Sequence, residues 1–476
     1  MNSNQLQPGR KNYPFRLQNM IDHLRSDIVS GVYAPGELLP SELKLTKQFQ
    51  LSNKSARKGL DALVKEGLIV KVDRVGSRVT DQLPGSFQSI SFGYSSSIER
   101  DFALPLLIED FHKLHPTIRV KSLPLQSVSN YLGTVKDYMN SGLLDVCTIN
   151  NLDFQHLEEN DDTSMLQPLV PQSHTYHFAQ KAFTQRQTLM AQPIVFSPLV
   201  LAYNRAHFQE ANVPEPDGSW TWQDIIQHAK ALAVPGQRHG FYFYLLSDNR
   251  WPVFLLQSCM DFAIEQHDTF RLQGTRLLES IRLCKELINN RAVFPRYLSE
   301  SNDDVNELFI QEKVSMILTT YTSLNDLKDR DIHYDISPIP YLFEPRTLLN
   351  VIGVAVNRNS KQPEAAAAFS GYLASARAQR ILRNQTISLP SLKQVAEEPM
   401  ENTSSLNRPL RYHLFRETIS SFRMNRDLNL PLHSFYTLKT ILKQYWSEFI
   451  DEEELCRQVE RLLNSPTAKG KVYAED

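Results

Sequence analysis

The sequence predicts an α/β protein in which a small helical head with a β-hairpin precedes a much larger open sheet. Two observations lead to this fold class. Three helical patterns and a hairpin pattern follow one another before residue 80. From residue 89 onward, apolar strands alternate with amphipathic helices, an order typical of sheets built from parallel crossovers. The chain, at 476 residues, is also too long for one ordinary core and implies about three domain-sized bodies.

The head is organised around two helical patterns that meet at residues 50–53. Ser41 and Ser52 are suitable N-caps, because a side-chain oxygen can accept a free N–H of the first helical turn. Gly67 is a suitable stop, because glycine accepts the left-handed conformation beyond a helix end. Apolar residues recur along both patterns and are expected to be buried: Leu43, Leu45, Phe49, Ala56, Leu60, Leu63 and Val64.

A further helix and a hairpin complete this module. The helix pattern covers residues 14–30, and two short strand patterns cover residues 68–72 and 77–80. Three helices followed by a hairpin make a winged helix-turn-helix. Residues 10–80 hold thirteen lysines and arginines against seven acidic residues, although the whole chain has a net charge of −2. This asymmetry indicates a surface that attracts phosphate, so the sequence predicts a DNA-binding domain at residues 10–80.

The same stretch resembles the GntR-type winged-helix regulators. The shared residues include Pro35-Gly36, Leu39-Pro40-Ser41-Glu42 and Glu66-Gly67-Leu68-Ile69. The resemblance implies a homodimer on an imperfect palindrome of double-stranded DNA, with the second paired helix in the major groove and the hairpin tip at the minor groove. The residues expected at the DNA are Ser41, Glu42, Asn53, Lys54, Ser55, Arg57, Lys58, Arg74, Gly76 and Arg78.

Four positions depart from the family pattern. Asn53 stands where the family usually has arginine, and Gly59 where it usually has alanine. On the hairpin, Arg74 replaces a usual glycine and Arg78 a usual aromatic residue. Asparagine reads adenine more naturally than guanine, and glycine costs a helix about 1 kcal/mol relative to alanine. The operator therefore need not be the family's usual one.

A short linker separates the head from the second region. Residues 81–88 are polar with a Pro-Gly break, and the second region covers residues 89–476. Its first strands run into residues 94–97 and into the pair Asn150-Asn151. Ligands of open α/β sheets collect beyond the carboxyl ends of the strands, so we expect a ligand site there.

The second region resembles the extracellular solute-binding proteins of sugar ABC transporters. The similar stretches include Phe111–Val120, Leu166–Leu169, Leu201–Asn204 and Trp220–Trp222. The resemblance implies a two-lobed, periplasmic-binding-protein-like (type II) α/β domain whose cleft closes on a ligand. A sugar cleft needs aromatic faces for stacking and a few polar groups for hydroxyls. The candidates at strand ends or in loops are Tyr94, Ser95, Ser96, Asn150, Asn151, Trp251, Tyr321 and Asn350.

Other patterns bear on location and chemistry. No run of eighteen apolar residues exists, and the first fifteen residues have no apolar core of a signal peptide. Four cysteines lie far apart without a CxxC motif, which favours reduced thiols and a cytoplasmic protein. His112 with His115, and His174 with His177, are spaced three apart but lack an HExxH motif. We expect no metal, no cofactor, no membrane contact and no catalysis.

Two alternatives remain open beside a sugar-sensing transcription regulator. A GntR-type head can also precede an aminotransferase-like domain that binds pyridoxal phosphate on a lysine. The nearest candidate is Lys393, but no glycine stands near it, and seventeen glycines are few for that fold. In the other alternative, the solute-binding fold binds a protein, for instance a transporter subunit, instead of a small molecule.

Overall fold

The computed structural model describes residues 13–29, 32–73, 75–81, 88–125, 130–262, 269–297, 299–399 and 406–465. Most of the predicted linker, residues 82–87, lies outside these ranges. The chain divides into two compact units, residues 1–90 with 110–121 and residues 91–109 with 122–476. The helices in chain order are α1 (Tyr13–Val29), α2 (Glu42–Phe49), α3 (Asn53–Lys65), α4 (Ile98–Phe102), α5 (Leu104–Leu114), α6 (Tyr131–Asn140), α7 (Asn151–Glu159), α8 (His177–Lys181), α9 (Arg205–Ala211), α10 (Trp222–Leu232), α11 (Pro252–Gln257), α12 (Arg276–Asn289), α13 (Asn302–Ile310), α14 (Pro363–Leu373), α15 (Ala376–Gln385), α16 (Lys393–Ala396), α17 (Phe415–Thr418), α18 (Leu432–Trp446) and α19 (Glu452–Leu463). The strands are β1 (Ile69–Val72), β2 (Gly76–Val79), β3 (Gln88–Ser95), β4 (Ile118–Leu125), β5 (Val146–Asn150), β6 (Thr184–Gln185), β7 (Thr188–Leu189), β8 (Gln192–Asn204), β9 (His239–Tyr242), β10 (Val314–Thr320), β11 (Tyr334–Ser337), β12 (Thr347–Val356), β13 (Leu389–Pro390) and β14 (Phe422–Arg423).

The head folds as its sequence predicts. The Ser52 side chain caps α3 by accepting the N–H of Ser55, and Gly67 adopts a φ of +70° beyond the helix end. The antiparallel hairpin β1–β2 follows. The three helices and the hairpin share one core: Met20, Ile21, Leu24, Ile28, Leu39, Leu45, Leu51, Ala56, Leu60, Leu63, Leu68, Ile69 and Val79.

Leu43 is an exception to the predicted core. Its side chain is 61% exposed, whereas Leu45 is fully buried. Residues two apart on a helix lie on opposite faces, because each residue turns the chain by about 100°. The two leucines of α2 therefore cannot share one buried stripe.

One large sheet forms the frame of the second region. Its strand order is β4-β3-β5-β12-β8-β10-β9, with β11 and β13 also paired to β8 and β14 to β12. β3 and β5 are parallel, as the alternating pattern predicts, but β12 runs antiparallel to both of its neighbours β5 and β8. The sheet is thus mixed rather than parallel throughout. Every residue of β8 is buried.

Side-chain capping fixes the start of one helix that packs on this sheet. Thr221 caps α10, and its partner in the capping box is Asp224. Trp222 is buried, and its Nε1 donates to Gln257 Oε1 at 2.8 Å. Within the described ranges, no helix combines the length and the apolar character that a bilayer crossing requires.

Candidate functional site

The exposed face of α3 is the candidate nucleic-acid interface. Ala56, Leu60 and Leu63 turn one side of this helix into the head core. The amino-terminal half of the opposite side carries four exposed polar residues, Asn53, Lys54, Arg57 and Lys58, and the exposed Asp61 and Lys65 follow toward the carboxyl end. Ammonium and guanidinium groups bind phosphates, and amide or guanidinium groups read base edges in the major groove. Four of the five α3 residues predicted at the DNA are therefore exposed on this helix.

An ion pair orients the arginine of this face. Arg57 Nε lies 2.7 Å from Glu42 Oε2, which links α3 to the first turn of α2. The Arg57 side chain is nevertheless 65% exposed. A guanidinium that is held along one edge can present its remaining N–H groups to a phosphate or a base. Glu42 thus acts on this surface through Arg57.

Two serines predicted at the DNA hold helix ends in the structure. Ser41 caps α2, with its hydroxyl oxygen 3.4 Å from Lys44 N. Ser55 is only 6% exposed, and its hydroxyl lies 2.7 Å from that of Ser52. Ser55 is thus covered in this structure, and a contact between its hydroxyl and DNA would first require it to become exposed.

The hairpin carries the remaining predicted contacts. Gly76 is exposed and has a φ of +131°, a conformation that residues with side chains rarely adopt. Arg78 is 38% exposed and donates to Asp81 Oδ2 at 3.0 Å. Arg74 lies outside the described residues.

Gly59 allows a close approach between two helices of the head. An added Cβ would lie 2.2 Å from Met20 Cε and 3.2 Å from Leu17 Cδ1. Helix α1 therefore occupies the space that an alanine side chain would need.

In the second region, the predicted ligand residues after β3 differ in exposure. Tyr94 is buried, and its hydroxyl donates to Glu99 Oε1 at 2.6 Å. Burial raises the pKa of Tyr94 to about 12, so the phenol is neutral. Ser95 is half-buried, and Ser96 is exposed in the loop that follows the strand.

The predicted asparagines hold backbone in place. Asn150 caps α7, accepting two N–H groups of its first turn at 2.8 and 2.9 Å. Asn151 accepts the N–H of Val351 at 2.8 Å. On β12, the half-buried Asn350 lies opposite Ser197 of β8. The strand pairing thus brings the asparagine candidates close to the middle of the sheet.

The two large aromatic candidates lie in the interior, not on a cleft surface. Trp251 is fully buried, stacks on Phe435 with ring centroids 4.9 Å apart, and donates to Asp248 Oδ1 at 3.1 Å. Tyr321 is fully buried, and its hydroxyl donates to the carbonyl of Tyr412 at 3.0 Å. Both rings are covered by other parts of the chain, which differs from the expectation of exposed stacking faces.

Sequence reasoning missed a buried cluster of hydroxyls beside Tyr321. Ser197 Oγ lies 3.1 Å from Thr322 Oγ1 and accepts the N–H of Thr322 at 3.0 Å. Thr320 Oγ1 lies 3.2 Å from Thr322 Oγ1 and 3.1 Å from Ser323 Oγ. Hydroxyls both donate and accept, as sugar recognition requires. The signal was a run of threonines and a serine at the end of an apolar strand.

A second missed group surrounds Arg100 in α4. Arg100 pairs with Asp101 at 2.8 Å and with Asp326, which lies in the turn after β10. Asn325 Nδ2 lies 3.4 Å from Asp101 Oδ1 and donates to Ser388 Oγ at 2.9 Å. Asp101 is only 3% exposed, and burial raises its pKa to about 6 although Arg100 lowers it. Three distant chain segments are therefore held together by one buried polar network.

The larger part of the chain can be assigned by comparison with known families. Residues 107–406 match the family described as bacterial extracellular solute-binding protein, which is more than half of the chain. The chain belongs to this family. Residues 17–79 of this solute-binding family member match the bacterial regulatory proteins of the gntR family. Both predicted resemblances are confirmed.

Solved solute-binding proteins share the fold of the larger domain. An ABC substrate-binding protein of Listeria monocytogenes, in complex with cycloalternan, is 17% identical with a TM-score of 0.66, covering 79% of this chain and 98% of that one. The GacH receptor of Streptomyces glaucescens, solved with acarbose, is 20% identical with a TM-score of 0.67 and the same coverage. These likenesses confirm the two-lobed fold and nothing finer.

Curated relatives of the solute-binding family member match it only in part. A Brucella abortus protein, named as a binding protein, is 26% identical over 152 residues, which is 31% of this chain and 37% of its own length. The uncharacterized HTH-type transcriptional regulator YieP of Escherichia coli is 32% identical over 68 residues, 14% of this chain and 30% of its own length. The chain thus spans about a third of the length of these relatives.

The matched families are a DNA-binding regulator and a solute-binding fold, and neither is an enzyme family. The aminotransferase-like alternative gains no support from them, because Lys393 lies inside the solute-binding match. Among the described residues, no group of three or more histidines, cysteines and carboxylates is placed to hold a metal ion.

Proposed function

We propose that this protein is a cytoplasmic, ligand-responsive transcription regulator whose solute-binding domain senses a sugar or an oligosaccharide. One observation carries the proposal. A chain with a solute-binding fold also contains a GntR-type helix, α3, whose exposed face is basic and whose other face is buried. Charge on one face of a helix of this type is suited to the phosphates of operator DNA.

In this proposal, the head binds DNA as a homodimer on two half-sites. The amino-terminal half of α3 enters the major groove, where Lys54, Arg57 and Lys58 contact phosphates or base edges and Asn53 reads a base. Gly76 and the hairpin arginines Arg74 and Arg78 lie near the minor groove. This arrangement is supported by the exposure of the four α3 residues and by the helix N-cap at Ser52.

The ligand contacts in the proposal come from strand ends and from the hydroxyl cluster. Ser197, Thr320 and Thr322 supply hydroxyls, and they are joined by the predicted residues Tyr94, Ser95, Ser96, Asn150, Asn151 and Asn350. The carbohydrate class is supported by structural neighbours that were solved with cycloalternan and acarbose. The interior positions of Trp251 and Tyr321 favour a role in shaping the site rather than in stacking.

Regulation follows from closure of the two lobes on the ligand. The ligand must bind one arrangement of the domain more tightly than the other, because equal affinity for both shifts no equilibrium. In a homodimer, the favoured arrangement alters the spacing of the two heads and thereby the affinity for a two-part operator.

The DNA half of the proposal is tested by comparing two basic residues of the same helix. Arg57→Ala removes a predicted DNA contact and should lower the affinity for a selected operator at least tenfold. Lys65→Ala, at the exposed carboxyl end of α3, is the matched control and should change the affinity little. Fluorescence anisotropy with a labelled duplex measures both. Equal effects of the two variants would argue against a recognition role for the amino-terminal half of α3.

The ligand half is tested by thermal unfolding of the full chain with a panel of mono- and oligosaccharides. A ligand at a hundred times its dissociation constant stabilises the folded state by about 2.7 kcal/mol. Thr322→Val should abolish this stabilisation by removing a cluster hydroxyl, whereas Arg57→Ala should preserve it. No stabilisation by any sugar would instead favour a protein partner, a reading for which the internally bonded cluster also provides an argument.

A further inference from the structure

A pocket of about 570 Å³ shares no lining residue with the hydroxyl cluster. One wall is the segment that leads into α8, and the other is the short helix α16. None of the predicted ligand residues lines it. The two histidines that the sequence places three apart, His174 and His177, meet Lys393 here.

The pocket floor is apolar and aromatic. Phe178 is half-buried and stacks on Tyr176, with ring centroids 5.0 Å apart and planes 21° apart. Both rings also contact Phe196 of the central strand β8, at 5.3 and 5.1 Å. Ile419 completes this floor. Because the floor is anchored to the core of the sheet, it offers a fixed surface for a flat ring.

The pocket rim is rich in groups that can carry positive charge. His174, His177 and Lys393 are exposed, and in the part of the chain that the structure describes no ion pair joins them to a carboxylate. Glu397 also lines the pocket, but its carboxylate accepts the hydroxyl hydrogen of Tyr176 at 2.7 Å. Arg416 donates to the carbonyl of Glu397 at 2.7 Å and adds a further cation nearby. The negative charge of Glu397 remains, but Lys393 and Arg416 together outnumber it, so the rim has a net positive charge that is complementary to an anion.

Main-chain hydrogen bonds fix the two walls relative to each other. Lys393 N donates to the carbonyl of His174 at 2.9 Å, and Tyr176 N donates to the carbonyl of Ser391 at 3.0 Å. His174 adopts a left-handed φ of +66°, a conformation that is uncommon for residues other than glycine. The charged groups thus stand on a framework that is formed before any ligand arrives.

We propose that this pocket binds a small organic anion, with its ring on Phe178 and its carboxylate or phosphate group between Lys393 and the two histidines. The aromatic floor selects a ring, and the cationic rim selects a negative head group. Such a ligand differs from the neutral carbohydrate proposed for the hydroxyl cluster. The pocket therefore gives the regulator a second input.

The test uses four probes that separate the ring from the charge. Benzoate and phenyl phosphate carry both features, inorganic phosphate carries only the charge, and benzyl alcohol carries only the ring. Isothermal titration of the full chain should show that benzoate or phenyl phosphate binds at least tenfold more tightly than the two incomplete probes. The tighter of the two complete probes identifies the preferred head group. Equal affinity for complete and incomplete probes would overturn the proposal.

Charge reversal on the rim locates the binding. Lys393→Glu should weaken the preferred probe at least tenfold, and Lys393→Arg should retain it. Lys361→Glu is the matched control, because Lys361 is equally exposed but does not line the pocket. Since these side chains are exposed, the variants are expected to fold, which unchanged tryptophan fluorescence would verify. Equal affinities of Lys393→Glu and Lys361→Glu would place the binding elsewhere and overturn the proposal.

Discussion

Helix α3 and the end of strand β10 both carry short runs of polar residues, but only the first run faces solvent. Asn53, Lys54, Arg57 and Lys58 are exposed on the helix. Thr320 and Thr322 are 6% and 7% exposed and are hydrogen-bonded within their own cluster. The polar groups of α3 are therefore accessible to a partner, whereas the hydroxyls at the end of β10 are hydrogen-bonded to one another.

This difference has an energetic consequence for each region. DNA can meet the exposed cations of α3 with little rearrangement, and much of the binding energy comes from released counterions. A ligand of the hydroxyl cluster must replace internal hydrogen bonds, and each buried group that it leaves unpaired costs about 1–3 kcal/mol. Ligand binding is therefore expected to be coupled to a conformational change, whereas the head acts as a preformed surface.

The largest effect on stability is expected from one methyl group added at Gly240, inside the solute-binding domain. A Cβ at Gly240 would lie 2.0 Å from the carbonyl oxygen of Ala229, where α10 packs on β9. Neither backbone can yield, so Gly240→Ala should lower the free energy of unfolding by about 3 kcal/mol. Urea unfolding followed by tryptophan fluorescence reports this domain alone, because all four tryptophans lie within residues 89–476.

Gly371→Ala is the control for this substitution. Gly371 is part of helix α14, and apart from its chain neighbours and the backbone of its own helix no atom lies within 4 Å of the added Cβ. Alanine should here stabilise the domain by up to about 1 kcal/mol, because it forms helices more readily than glycine does. A Gly240→Ala variant as stable as Gly371→Ala would contradict the tight packing that we describe between α10 and β9.

At the exposed face of α3, a change of one charge should affect the recognition of DNA rather than folding. Glu42→Gln removes the partner of Arg57, so the arginine is no longer held in one direction. We expect the ratio of operator affinity to random-duplex affinity to fall about tenfold, as for the loss of one well-oriented base contact. Fluorescence anisotropy at constant salt measures both affinities. Asp22→Asn, which removes an ion-pair partner of Arg25 on α1 of the same head, should leave the ratio unchanged.

The stability of the solute-binding domain should also depend on pH, because this domain contains the buried carboxyl group of Asp101. Asp101 faces Arg100, Ser97, Asp326 and Asn325, and burial raises its pKa to about 6. The folded state then binds this proton more tightly than the unfolded state, whose aspartates have a pKa of about 4. Lowering the pH from 7.5 to 5.5 should therefore stabilise the fold through this group by about 0.8 kcal/mol, and the gain disappears as the pH rises through 6.

The contribution of Asp101 is isolated by difference. His207 opposes it, because burial lowers the pKa of this imidazole to about 4 and acidification then favours the unfolded state. Asp101→Asn should remove only the favourable part, so the variant should lose stability relative to the wild type as the pH falls. Parallel pH profiles of the two proteins, measured by tryptophan fluorescence, would assign the titration to another group.

The smallest effect on stability is expected from Gly59→Ala in the head, where α1 packs closely on α3. Gly59→Ala places a methyl group against Met20 Cε, which is the flexible end of a side chain and can move away. The gain of about 1 kcal/mol in helix propensity should offset most of this crowding. Hydrogen exchange of the α3 amides, read by mass spectrometry, should change by less than tenfold. A loss as large as that of Gly240→Ala would mean that both regions are packed with equal rigidity.

The sequence predicts the fold better than it predicts the ligand site. N-caps at Ser41 and Ser52 and the stop at Gly67 depend on neighbouring residues, so local patterns were sufficient for the head. The central place of β12 was not predictable, because strand order depends on contacts between residues that are far apart in the sequence.

The exposure of individual side chains was predictable only where one helix decides it. The polar face of α3 follows from its own periodicity. The interior positions of Trp251 and Tyr321 instead depend on Phe435 and Tyr412, which come much later in the chain. The network around Asp101 also joins segments that are distant in sequence, and no local pattern announces it.

The position of β12 also determines when each region becomes complete during synthesis. Residues 347–356 pair with β5 and β8, which leave the ribosome far earlier. With roughly 5–20 residues added per second, β5 waits on the order of ten seconds or longer for this partner. The residues that form the hydrophobic core of the head, from Met20 to Val79, have all been synthesised long before then. A chain truncated before residue 347 therefore contains the complete head but lacks a central strand of the solute-binding domain. We expect it to bind operator DNA with an affinity that no ligand changes.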